Sequence, residues 1–139
     1  MNKYLEANAI FSLFSRDYME LKMDLPIRPS EMGVLNIISN GNKLYTPLMV
    51  AEMLNVSKPM IANHVSMLEK NGYITKDFSS DDKRSFYIIP TEKAKELVQK
   101  EEKKLHSKLK EIEETIGKDK FAMLVNTLKE VNEVLNRKM

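Results

Sequence analysis

Apolar side chains recur at three- and four-residue spacings over most of this chain, a pattern that predicts a mainly helical protein. The first stripe predicts a helix from about Leu5 to Lys22, and Pro26 and Pro29 follow it as breakers. Ser30 is the predicted N-cap of a second helix, which we expect to end at the Asn-Gly-Asn cluster that follows. The apolar positions that define these two helices are Ile10, Phe11, Phe14, Tyr18, Leu21, Val34, Leu35 and Ile38.

A pair of short helices and a hairpin are predicted in the middle of the chain. Thr46 and Ser57 are the expected N-caps, and a proline lies in the first turn after each of them. Two runs rich in β-branched and aromatic residues, 72–76 and 86–89, flank a Ser- and Asp-rich turn, so we expect an antiparallel hairpin. The inward stripe of the second short helix is predicted to be Ile61, Val65 and Leu68. Such a helix can enter the major groove of duplex DNA while the hairpin tip reaches the neighbouring minor groove.

Two long helices separated by Gly117 are predicted at the C-terminal end, with Thr91 capping the first of them. These helices, like the first helix, cannot bury their apolar stripes on the short middle segment alone. The prediction is therefore a mainly α fold with a small β-hairpin wing, in which residues 30–91 form a winged helix-turn-helix DNA-binding domain. Residues 1–29 and 92–139 are the predicted dimerisation helices of a two-fold homodimer. A monomeric helical bundle is the alternative.

Composition argues against several classes of function. The chain has no cysteine, which excludes disulfides and thiolate zinc sites within it, and only two histidines, which disfavours a zinc-type site. It carries no Gly-rich phosphate loop, no nucleophile motif and no metal-spaced cluster, so we expect no enzyme, no cofactor and no metal. No apolar run approaches the roughly 18 residues of a membrane span, and residues 1–6 lack the build of a signal peptide. A cytoplasmic protein without a membrane partner is therefore expected.

Charge by itself does not indicate a nucleic-acid partner. The formal net charge of the chain is +2, and residues 55–93 carry six cationic and five anionic side chains, close to +1. DNA-binding domains commonly have a more basic footprint. A winged-helix protein–protein adaptor without specific DNA binding therefore stays open as an alternative function.

The middle of the chain resembles the MarR family of bacterial winged-helix regulators, over roughly Ser30 to Leu97. The segments that carry the resemblance are Val34-Leu35, Val50-Ala51-Glu52-Met53-Leu54-Asn55-Val56-Ser57, Leu68-Glu69-Lys70-Asn71-Gly72-Tyr73-Ile74, Asp82-Lys83-Arg84-Ser85 and Thr91-Glu92-Lys93-Ala94. Pro90 and Ala94 depart from the family pattern, which usually has Leu and Gly there. The resemblance implies a dimeric regulator of transcription that binds a pseudo-palindromic operator in double-stranded DNA. Repression, relieved by a small-molecule effector, is the function it implies by default.

The exposed face of the helix after Ser57 supplies the predicted DNA contacts. Asn63 can form a bidentate pair with adenine, whereas Pro59 and Met60 offer only apolar contact, for example to a thymine methyl group. Two further residues, Ser57 and Lys58, lie at the helix N-terminus, where a phosphate contact is expected. His64 lies beside the inward stripe, so we expect it to be partly packed, with a DNA contact as the other option.

Arg84 resembles the wing arginine of the family, which enters the minor groove, and Lys83 beside it completes the basic tip. Asp82 is an acceptor that can hold the Arg84 guanidinium in place, although an exposed surface pair with little energetic weight is the alternative. The resemblance also implies an effector site where the DNA-binding lobe meets the dimerisation helices. Phe11, Phe14 and Tyr18 face inward by periodicity, as core residues or as contacts to such a ligand.

Overall fold

Six helices and one hairpin make up the chain in the computed structural model, which describes residues 2–21, 24–79, 81–82 and 84–137. In chain order the elements are α1 (Lys3–Glu20), α2 (Pro29–Asn40), α3 (Pro47–Leu54), α4 (Lys58–Lys70), β1 (Ile74–Asp77), β2 (Tyr87–Pro90), α5 (Glu92–Ile116) and α6 (Lys118–Leu135). Contacts divide the chain into two compact units, Met1–Gln99 and Lys100–Met139. The predicted class, mainly α with a two-stranded antiparallel wing, is confirmed.

Side-chain caps set the starts of the two short helices. Thr46 Oγ1 accepts a hydrogen bond from the Met49 backbone N–H at 3.2 Å, and Ser57 Oγ accepts one from the Met60 N–H at 3.2 Å. Both predicted caps are confirmed, and each satisfies a backbone donor that the first helical turn leaves unpaired.

The predicted start of α2 is wrong by two residues. Arg28, not Ser30, is the N-cap, and Pro29 is the first helical residue. Proline suits the first helical position because it has no N–H to satisfy and its φ is already near the helical value. Glu31 completes this start, since its Oε1 accepts a hydrogen bond from the Arg28 N–H at 3.0 Å.

The core of the first unit is built by α2, α3, α4, the hairpin and the first two turns of α5. The inward stripe predicted for α4 is buried, as are the apolar positions predicted for α2. Ala94 and Val98 of α5 are also buried, so alanine at the family's usual glycine position fits the core. The side chains that are buried most completely are Leu35, Leu68, Ile74, Ile88, Val34, Val50 and Val98.

The hairpin carries an additional link to the helical part of the unit. β1 pairs with β2 from Ile74 opposite Pro90 to Asp77 opposite Tyr87. The Ile88 N–H donates to the Tyr45 carbonyl at 2.8 Å, which ties β2 to the chain just before α3. Pro90 lies at the last position of β2, where a residue without an N–H costs little.

Helix α1 corrects the expectation that its aromatic residues point into the protein. It has no buried residue, and Phe11 and Phe14 are 66% and 50% exposed. The ring of Phe14 stacks on that of Tyr18, with centroids 5.5 Å apart. Periodicity predicted burial for this apolar face, but among the described residues of α1 the side chains are exposed or half-buried.

The second unit shows the same feature. α6 contains no buried residue, and its apolar side chains are half-exposed or exposed along the helix. Along the described ranges, no helix combines the length and apolarity that crossing a membrane requires. No group of three or more His, Cys, Asp or Glu residues suited to a metal ion occurs in the same part of the chain.

Candidate nucleic-acid interface

The outward face of α4 begins at its cap and runs through the first two turns. Its exposed residues include the five predicted contacts Ser57, Lys58, Pro59, Met60 and Asn63, together with Ala62. These side chains are accessible because the opposite face of α4 is buried in the core. Asn63 is exposed, so the donor and the acceptor of its carboxamide are accessible, as bidentate pairing to a base edge requires.

The N-terminus of α4 is suited to an anion. Ser57 caps the Met60 N–H, and Lys58 adds a full positive charge to the partial charge of the helix terminus. Phosphate groups bind at such termini because backbone N–H groups point towards them. The capping role of Ser57 leaves its exposed hydroxyl edge accessible, so the two predicted roles are compatible.

His64 is placed differently from the other predicted contacts of α4. Its side chain is 5% exposed, because it lies on the inward stripe between Ile61 and Leu68. Within the described ranges, neither ring nitrogen has a hydrogen-bond partner. The expectation of partial packing underestimated its burial, and in this conformation His64 is not presented to DNA.

The wing presents Arg84 on its exposed surface, and Asp82 shapes the turn that carries it. Asp82 Oδ1 accepts a hydrogen bond from the Arg84 backbone N–H at 2.9 Å, and the Asp82 carbonyl accepts one from the Ser85 N–H at 2.9 Å. Asp82 thus supports Arg84 through the backbone, in an Asx-turn. The predicted contact between the Asp82 carboxylate and the Arg84 guanidinium stays a prediction. Lys83 lies outside the described residues.

A second Asx-turn starts the loop at the end of β1. The Ser79 N–H donates to Asp77 Oδ1 at 2.9 Å. Hydrogen bonds from the Ser79 backbone and side chain lower the pKa of Asp77, since they favour its charged form. Aspartates 77 and 82 therefore act locally as turn formers on either side of the wing tip.

A groove of about 510 Å³ separates α4 from the wing. Lys58 and Arg84 both line it, so the helix N-terminus and the wing arginine face the same space. Lys76 and Phe86 also line the groove, with the Lys76 ammonium 4.9 Å from the Phe86 ring centroid. These last two residues were not predicted as contacts. Their signal was the alternation of side chains in the hairpin, which places them near each other across the two strands.

Comparison with known proteins supports an assignment of the family and the fold. Residues 27–86 match the family model described as the MarR family. The HTH-type transcriptional regulator YfiV of Bacillus subtilis (strain 168) is 31% identical over 94 residues, 68% of this chain and 56% of that protein. The chain therefore spans little more than half the length of this curated relative.

Solved structures share the fold at low identity. The crystal structure of Streptococcus pneumoniae FabT in complex with DNA has a TM-score of 0.84 at 18% identity, covering 95% of this chain and 96% of that one. The structure of NadR in complex with 4-hydroxyphenylacetate has a TM-score of 0.68 at 16% identity, covering 94% and 92% of the two chains. At these identities the likeness concerns the fold alone.

Proposed function

Because this chain belongs to the MarR family, we propose that it is a homodimeric, sequence-specific DNA-binding regulator of transcription. The observation that carries the proposal is the shared groove of α4 and the wing, onto which a helix N-terminus with Lys58 and a wing with Arg84 both open. FabT, whose fold this chain shares, is a protein for which a DNA complex is known.

The division of labour within the interface follows from the chemistry of each group. Asn63 reads a base edge in the major groove, because a carboxamide matches the donor and acceptor of adenine. Lys58 and the α4 N-terminus hold phosphates, which sets the register of the helix without specifying sequence. Arg84 enters the minor groove, where a narrow A·T-rich segment concentrates negative potential. Specificity therefore depends on α4, and much of the affinity depends on the cations.

Dimerisation is the second part of the proposal. Exposed apolar faces on α1 and α6 are an unfavourable arrangement for a single chain in water, and a second copy would cover them. Residues 30–91 would then act as the DNA-binding domain, and 1–29 with 92–139 as the dimerisation helices. Two α4 helices related by a two-fold axis match half-sites about 34 Å apart, one turn of DNA, which requires a pseudo-palindromic operator.

Repression is the proposed outcome of operator binding, and a small-molecule effector its proposed release. NadR, which has the same fold, binds 4-hydroxyphenylacetate. Phe11, Phe14 and Tyr18 offer an aromatic surface on α1 that an aromatic ligand could share with the dimer contact. An effector acts only by binding one conformation better than another, so a true effector should change operator affinity as well as raise the melting temperature. Such a regulator would work in the cytoplasm, where its operator lies.

A fluorescence anisotropy titration tests the DNA proposal. Duplexes that tile the DNA upstream of the protein's own gene are titrated at several salt concentrations, with an unrelated duplex of equal length as reference. One upstream duplex should bind far more tightly than the reference, and its affinity should fall steeply with salt because bound cations release counterions. Equal binding of every duplex would refute sequence-specific regulation and would favour the protein–protein adaptor.

Matched variants separate the proposed roles of Asn63 and Arg84. Asn63→Ala should cost about 1–3 kcal/mol on the preferred duplex and relax the preference at one base pair. Arg84→Ala should weaken binding and reduce the salt dependence. Asn36→Ala and Arg137→Ala remove the same groups at exposed positions on α2 and after α6, and both should bind as the wild type does. Wild-type affinity in Asn63→Ala and Arg84→Ala would refute the site assignment.

A further inference from the structure

Three successive backbone carbonyls after α4 are all hydrogen-bonded by the residues that begin α5. The Asn71 carbonyl accepts from Lys93 Nζ at 2.8 Å, and the Gly72 carbonyl accepts from Thr91 Oγ1 at 2.7 Å. The Tyr73 carbonyl accepts from the Thr91 backbone N–H at 3.0 Å. These contacts join segments about twenty residues apart in sequence. We call residues 71–73 together with Thr91 and Lys93 the α4–α5 joint.

The end of α4 is shaped so that these carbonyls are available. The Tyr73 N–H donates to the Leu68 carbonyl at 2.9 Å, and the Gly72 N–H donates to the Glu69 carbonyl at 3.1 Å, the pattern of a Schellman motif. Gly72 has a φ of +83°, which a residue with a side chain adopts only with strain. The chain therefore reverses sharply, and the carbonyls of 71–73 are directed to partners outside α4.

The residues on the α5 side each make more than one contact. Thr91 Oγ1 also accepts from the Ala94 N–H at 3.3 Å, so one hydroxyl caps α5 and holds Gly72. The Lys93 ammonium lies 4.5 Å from the centroid of the Tyr73 ring, a cation–π contact beside its hydrogen bond to Asn71. Its charge at the C-terminal end of α4 also complements the helix dipole. Lys95, two residues further on, pairs instead with Glu92 of its own helix at 3.5 Å.

We propose that Lys93 and Thr91 are positioning residues for DNA recognition, which fix the angle of α4 against the first turns of α5 through the α4–α5 joint. Neither residue touches the exposed reading face of α4. Asn63 lies eight residues before Asn71, about 12 Å along the helix axis. A tilt of about 5° at the joint would therefore move Asn63 by about 1 Å over that distance, enough to break a bidentate pair to a base. The inference rests on the proposed function for its consequence at DNA, but the joint itself can be tested without DNA.

The first experiment measures the angle of α4 directly. The chain has no cysteine, so spin labels can be placed uniquely at Ala62→Cys on α4 and Glu96→Cys on α5, both exposed positions. Labelled chain is mixed with an excess of unlabelled chain, so that each distance reports on one protomer. Lys93→Met, which keeps the length of the stem but removes the ammonium, should broaden or shift the distance distribution. Lys93→Arg, which keeps a cationic donor at this position, should give the wild-type distance distribution. Lys95→Met, outside the joint, should give it too.

The second experiment measures recognition. We expect Lys93→Met to lower the ratio of affinities for the preferred and unrelated duplexes by about tenfold, while affinity for the unrelated duplex is kept, because phosphate contacts tolerate a tilt that base contacts do not. A role confined to stability would lower the melting temperature and leave this ratio and the distance distribution as in the wild type, and that result would overturn the inference. A Lys93→Met protein with a changed distance distribution but an unchanged ratio of affinities would also overturn the inference. If the wild type prefers no duplex, the proposed function fails, and the distance measurement still decides the joint.

Discussion

The close approach of Gly41 to Tyr45 provides the most direct test of the packing beneath the wing. Gly41 ends α2 with an ordinary extended φ of −74°, so an alanine can adopt its backbone conformation. A Cβ there would overlap the phenol ring of Tyr45, reaching 2.5 Å from Cζ. Tyr45 is 6% exposed and its ring is stiff, so the conflict cannot be relieved by moving a flexible chain end.

Two opposing effects determine the size of the change in Gly41→Ala. Restricting the unfolded chain should stabilise the protein by about 0.4–1 kcal/mol. Overpacking a buried ring should cost about 1–3 kcal/mol, or more if the ring leaves its site. The cost of overpacking is the larger of the two effects, so we expect a net loss of about 1–2 kcal/mol in the free energy of unfolding. Because the Tyr45 carbonyl holds the Ile88 N–H, a displaced Tyr45 should also loosen the wing.

Gly33→Ala is the matched control, since it makes the same chemical change within α2. Its Cβ would lie 3.5 Å from Leu54 Cδ2, an ordinary van der Waals contact, so alanine should stabilise the helix by about 0.5–1 kcal/mol. Urea unfolding followed by circular dichroism, at one fixed protein concentration, compares the two variants with the wild type. Tyr45→Leu should reduce the cost of Gly41→Ala, because it removes the ring. A Gly41→Ala protein as stable as the wild type would refute the packing argument.

Two further predictions concern the dimer and the wing. Leu128→Asp puts a charge on the apolar face of α6 and should shift the protein from dimer to monomer in a sedimentation experiment. Asn126→Asp, on the opposite face of α6, should leave the dimer intact. If both variants sediment alike, dimerisation through α6 is contradicted. In an NMR titration, Asp77 should become protonated at a lower pH than an aspartate in an unfolded peptide, because hydrogen bonds from Ser79 hold its pKa below the ordinary value. The sign follows from linkage: the contribution of the Asp77 turn to stability is present above the unfolded pKa and is lost as the pH falls through the folded one. A normal midpoint for Asp77 would show that the contact with Ser79 does not hold in solution.

Local physics explains why much of the fold could be predicted. The caps at Thr46 and Ser57 depend on contacts three residues away, and the inward stripe of α4 depends on the helical period alone. The two-residue error at the start of α2 had a local cause as well, since Pro29 was treated as a breaker and not as a first helical residue. The exposed residues of α4 that we propose as DNA contacts followed from the same stripe, since they lie on the face opposite to it.

The sequence by itself determined which faces are apolar, where α3 and α4 start and which side of α4 is outward, because each depends on residues within one element. Only the tertiary structure decided what each face meets. His64 borders the inward stripe of α4, so periodicity could not distinguish a half-packed ring from a buried one. Packing against the rest of the core buries the ring. The α1 stripe predicted burial, yet none of the described residues of α1 is buried. The α4–α5 joint depends on how the chain returns upon itself over about twenty residues, which no local spacing encodes. Gly41 and Tyr45 are close in sequence, but their contact depends on the core that holds the Tyr45 ring in place.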